Sequence, residues 1–149
     1  MAQSKGEWDR YHDLMYLFMA MGVADGPMNV VEREALFATM RQWKPDLRWR
    51  DYLDRVEVVS RRLGKPDDGV AMLKTVEKCA HKMGQRLAAK PKRAVRLLEH
   101  LRDIAQIDGG LHRMEGILLS TIYTHLNLSK VVSLRIRRRL AVIEPVHAA

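Results

Sequence analysis

An acidic pair occurs twice in this chain at the same spacing. The first copy is Ala24-Asp25-Gly26-Pro27-Met28-Asn29-Val30-Val31-Glu32, and the second is Ile107-Asp108-Gly109-Gly110-Leu111-His112-Arg113-Met114-Glu115. Asp25 aligns with Asp108, Gly26 with Gly109, Met28 with Leu111 and Glu32 with Glu115. Apolar runs flank both copies, so each reads as helix, tight turn, helix, with an acid at each edge of the turn. Carboxylates gathered in this way repel one another, and burying them is costly without compensation. A hard divalent cation held through oxygen (Ca²⁺, Mg²⁺ or Mn²⁺) is one remedy. Plain turn-and-cap chemistry is the other. Asn29 and Glu32 have the spacing of a capping box, and Asp25 and Asp108 can accept bonds from backbone amides of their own turns. In the second copy His112 stands where the first has Asn29, and both are candidates for the layer around a bound ion. The loop is not an EF-hand, because acids at alternate positions around a central glycine are missing.

The elements that must position these acids read as helices. The first spans about Gly6 to Ala24, with Trp8, Tyr11, Leu14, Met15, Phe18 and Met21 on one face and further apolar residues elsewhere, so it is expected to be buried on most sides. The second runs from near Asn29 to Trp43, with Leu36, Met40 and Trp43 inward. The third, Asp46 to Leu63, carries Trp49, Tyr52, Leu53, Val56, Val59 and Leu63 in register. The fourth has Asp67 and Asp68 in its first turn and buries Val70, Leu73, Val76, Ala80, Met83 and Leu87. Pro91 opens the fifth. The sixth covers about His112 to Leu126, and Ser129 caps a seventh with Val132, Ile136, Leu140 and Ile143 inward. Short connections favour antiparallel neighbours. The expectation is an all-α, compact bundle of about seven helices in a single domain spanning 1–149, with an internal two-fold repeat whose halves cover about 5–65 and 66–145.

Bulk composition agrees. The 149 residues are 47% apolar and 30% charged, enough for one domain with a core. No apolar run reaches the roughly 18 residues of a membrane span, no signal peptide is seen at the N-terminus, and the single Cys79 cannot form an internal disulfide. These features point to the cytoplasm.

Twenty-six Lys and Arg against eighteen Asp and Glu give a net charge of +8. That excess raises the prospect of an acidic partner: nucleic acid, an anionic membrane surface or an acidic protein. Lys74, Lys78, Lys82 and Arg86 recur every four residues on the fourth helix, a mildly destabilising arrangement. Lys90, Lys92, Arg93 and Arg96 continue the basic region, and Arg135, Arg137, Arg138 and Arg139 form a second cluster on the seventh helix. The alternative is that these are solvated faces. No helix-turn-helix or RNA-binding signature accompanies them. The remaining histidines, His12, His81, His100 and His125 among them, are scattered and read as surface or satisfied core residues. No Ser-His-Asp set, phosphate loop or nucleotide fingerprint occurs, so the chain is expected not to be an enzyme, and no small-molecule substrate is identified.

The doubled Asp-Gly-x-apolar-x-x-x-Glu motif between apolar helices resembles the TerB-like tellurite-resistance family, which is related to a domain at the front of membrane-anchored J-domain co-chaperones. The resemblance covers nearly the whole chain. It implies internally repeated helices, a clustered acidic site for a divalent metal made by Asp25, Glu32, Asp108 and Glu115, and a role in stress or tellurite resistance. It also implies action through protein partners at or near the inner face of the membrane.

Overall fold

Asp9 sets where the first helix starts. Its carboxylate accepts from the amides of Tyr11 and His12 at 2.9 and 3.2 Å, and His12 Nδ1 accepts from the Asp9 amide at 2.9 Å. This reciprocal closure satisfies amides that a first turn cannot bond internally. Helix α1 therefore runs Arg10–Gly22, starting later than the apolar pattern alone implied. The computed structural model describes residues 8–23, 29–63, 69–106 and 113–127. Within them follow α2 (Val30–Trp43), α3 (Trp49–Leu63), α4 (Gly69–Leu87), α5 (Pro91–Ala105) and α6 (Arg113–Leu126), and no strand occurs among the described residues. The segment expected to form a seventh helix, and both acid-bearing turns, lie outside the described residues.

Local chemistry explains several further boundaries. Asn29 Oδ1 accepts from the Glu32 amide at 2.8 Å while Glu32 Oε1 accepts from the Asn29 amide at 3.2 Å, so the capping box expected from the sequence is formed. Pro91 occupies the first position of α5, where its missing N–H costs nothing. Asn127 ends α6 with φ near 50°, in the left-handed region that Asn tolerates better than most residues.

Helix α1 is the axis of the bundle. Every residue from His12 to Gly22 is buried, and α1 touches each of the other five helices. A helix that is apolar nearly all round has no face to give to water, so the other five helices pack around it. Leu36 and Met40 of α2, Tyr52 and Val59 of α3, and Val76, Ala80 and Met83 of α4 join α1 in one continuous core. Ala94, Leu97, Leu98 and Leu101 of α5 and Leu118, Leu119 and Ile122 of α6 complete it. Burying one such leucine stabilises the fold by roughly 2 kcal/mol.

Three side chains expected to face inward do not. Trp49, Leu53 and Val70 are 50%, 46% and 69% exposed. Periodicity assigns a face to a helix but not a neighbour to every turn of that face, and these residues lie in the first two turns of α3 and the first turn of α4. Trp49 instead leans on Phe37 and Tyr52, with ring centroids 5.0 and 5.3 Å away.

Helices α4 and α6 approach closely at Gly84. A Cβ at that position would sit 2.7 Å from the carbonyl carbon of Leu126 and closer still to its oxygen, so only glycine fits. Gly116 on α6 differs, because a Cβ there would meet nothing within 4 Å. No helix among the described residues is long and apolar enough to cross a membrane.

Candidate anion-binding cleft

The start of α1 gathers charge and pairs it. Arg55 of α3 donates to Asp9 Oδ1 at 2.7 Å. One turn on, Asp13 is 1% exposed, and it accepts from Trp8 Nε1 at 2.8 Å and from Arg86 of α4 at 2.8 Å, with Lys82 Nζ at 4.0 Å. Burial raises the Asp9 carboxyl, but the hydrogen bond and charge of Arg55 outweigh it, and the net displacement is below the ordinary range. Burial pushes His12 below its usual value, with Asp9 opposing and Arg55 assisting. Cys79 lies against Asp13, and burial, reinforced by that carboxylate, drives its thiol up to about 12. Such a thiol stays protonated and inert at neutral pH. The last two cations of the α4 ridge, Lys82 and Arg86, are therefore turned toward a buried acid.

Beyond Arg86 the pairing thins among the described residues. A cleft of about 380 Å³ opens between α1, α2, α4 and the start of α5. Arg10, Arg86, Lys90 and Arg93 line it, the rings of Tyr11 and Trp43 stand beside them, and Leu14, Met83 and Leu87 supply apolar floor. A second hollow of about 260 Å³ adjoins it, lined by Lys92, Arg93 and Arg96 with Gln42, Trp43 and His100. Trp43 and Arg93 belong to both. Among the described residues no Asp or Glu lines either one. Arg10, Lys90, Lys92 and Arg93 form no ion pair among the described residues, whereas Arg86 has Asp13 and Arg96 lies 3.9 Å from Glu99.

The local sequence makes this potential steep. Lys90 is the N-cap of α5 and gives no side-chain cap; the first turn of α5 has no acid but carries Lys92 and Arg93. Cations at the positive end of a helix dipole repel it, and an anion there relieves both. At α1 and α2 the same end holds Asp13 and Glu32.

A hydrogen-bonded strap holds the wall between the hollows. Trp43 Nε1 donates to His100 Nδ1 at 2.9 Å, and His100 Nε2 lies 3.2 Å from Gln42 Oε1, which also accepts from Arg96 at 2.8 Å. An Nδ1 that accepts and an Nε2 that donates describe a neutral imidazole. Burial, helped by Arg96, lowers the His100 pKa in agreement. The Arg93 guanidinium rests over the Trp43 ring, 5.4 Å from its centroid.

Of the acids singled out by the sequence, Glu32 serves the Asn29 cap and is half-buried, and Glu115 is 2% exposed in the first turn of α6. Asp25, Asp108 and His112 lie outside the described residues, as do Arg135, Arg137, Arg138 and Arg139. Among the described residues no group of three or more His, Cys, Asp or Glu side chains is placed to hold a metal ion, so the described ligands do not by themselves make a site. Lys74 and Lys78 are exposed, away from the cleft lining. The contributions of Arg10, Tyr11, Trp43 and Gln42 carry no local sequence signal, because only the packing of α1 and α2 against α5 brings them to the basic segment. The chain matches no family model, no curated protein and no solved structure.

Proposed function

We propose that this protein is a non-enzymatic adaptor that binds nucleic acid through the basic cleft at the α4–α5 junction. The observation that carries this reading is the convergence of Arg10, Arg86, Lys90 and Arg93 with Tyr11 and Trp43 in one concavity that no Asp or Glu among the described residues lines. A membrane surface would call for a flat basic face with apolar side chains ready to insert. The concave shape and the aromatic and amide groups inside it suit a nucleotide strand better. Titration of a labelled oligonucleotide by fluorescence anisotropy at increasing salt tests the reading. Four phosphate contacts predict a slope of log K against log salt of about −3 for a single strand. Lys90→Glu/Arg93→Glu is expected to weaken binding on the order of a hundredfold at low salt. Absence of binding at low salt overturns the reading.

A second reading is the TerB-like one, a stress-related protein holding a divalent cation through Asp25, Glu32, Asp108 and Glu115. The burial of Glu115 favours it, since an inward carboxylate at the start of α6 is what such a site requires. Calorimetric titration with Ca²⁺, Mg²⁺ and Mn²⁺ tests it: binding in the wild type that Asp25→Asn/Asp108→Asn abolishes would support it, and no heat in the wild type would dismiss it.

A further inference from the structure

We infer that Arg93, lying over Trp43, is a stacking platform for an unpaired base, so that the two hollows take successive nucleotides of a single strand rather than a duplex. This inference rests on the nucleic-acid reading of the same cleft. Trp43 and Arg93 form the wall common to both hollows, whose volumes of about 380 and 260 Å³ lie at or just below the small end of ligand pockets. Cations lie on either side of that wall, with Arg10, Arg86 and Lys90 on one side and Lys92 and Arg96 on the other. A strand crossing it would place phosphates on both sides and a base at the wall.

The Arg93 guanidinium lies over the indole on one side, its carbon 5.4 Å from the ring centroid. Its other side can meet a base, since guanidinium planes stack on bases as aromatic rings do. The indole cannot drift, because its N–H is tied to buried His100, and His100 is tied in turn to Gln42. Gln42 Oε1 is already engaged by Arg96 and His100, which leaves the amide nitrogen to meet a base edge. In a duplex the base faces are covered by their neighbours, so only an unpaired nucleotide can use the platform.

Arg93→Lys separates planarity from charge. Wild-type and variant protein would be titrated with three short labelled ligands of equal length: a mixed-sequence single-stranded DNA, an abasic sugar–phosphate strand and a blunt duplex. The wild type is expected to prefer the single strand over the abasic strand by roughly tenfold, the order of one base–aromatic stack. Arg93→Lys should erase that preference by weakening the single strand about tenfold more than the abasic strand, and Trp43→Ala should do the same by freeing Arg93. Equal binding of the three ligands by the wild type, or a preference that survives Arg93→Lys, overturns the platform and leaves polyanion binding standing. Failure to bind any of the three overturns both.

Discussion

Two clusters of charge lie on either side of Arg86, and the chain handles them in opposite ways. At the start of α1, Asp9 and Asp13 are met by Arg55, Arg86 and the indole N–H of Trp8, and Asp13 is almost wholly buried. At the α4–α5 junction, Lys90, Lys92 and Arg93 are exposed and without ion pairs among the described residues. Matched charge taken out of water locks three helices in register. Unmatched charge left at a concave surface costs little stability and creates a field that an anion can answer. The difference separates the part of the molecule that holds the fold from the part available for binding.

The largest effect should come from the matched cluster. Asp13→Ala strands the Trp8 N–H and removes the partner of Arg86, and urea denaturation should show a loss of about 2 kcal/mol, the usual cost of losing a hydrogen bond to a charged group. A loss under about 0.5 kcal/mol, the range of ordinary surface changes, would mean that the cluster does not stabilise the fold.

A smaller effect should follow from pH. Burial holds both His12 and His100 below their ordinary value of 6.5. As pH falls through 6.5 the unfolded chain takes up protons that the folded chain refuses, so stability is greatest above that pH and declines below it toward the folded values. His100→Gln should flatten part of this acid limb in chemical-denaturation midpoints measured across the range. An unchanged limb would show that His100 is not among the groups responsible.

The smallest effect is expected at the unmatched cluster. Lys90→Glu/Arg93→Glu should move the denaturation midpoint by no more than about 0.5 kcal/mol equivalent, as surface changes do. A clearly stabilised variant would sharpen the contrast further, showing that repulsion at the start of α5 is retained at a cost.

Much of the helical order was legible because its signals are local. The Asn29–Glu32 box, Pro91 at the head of α5 and the all-round apolar character of α1 are each written within a few residues, and each is found in the fold. What could not be read depends on contacts far apart in the chain. The stretch from Tyr11 to Glu32 has no Lys or Arg, so its acids look unpaired, yet Asp13 meets Arg86 from 73 residues away. The basic run after Arg86 was visible as composition, but nothing near it announces Arg10, Tyr11 or Trp43. Those residues read as parts of apolar helices, and they reach the cleft only through the way α1 and α2 pack. Trp49, Leu53 and Val70 show the converse, residues whose spacing promised a neighbour that the bundle does not supply.

Gly84 also limits how this protein can change. With the backbone of Leu126 occupying the space where a side chain would begin, α4 and α6 can slide past one another only by breaking that seam. Substitutions should therefore be rejected at position 84 and accepted at position 116, where alanine in place of glycine would even favour the helix. Since Arg86 projects from the same turn of α4, any variant that pries the seam open would carry one wall of the cleft away with it.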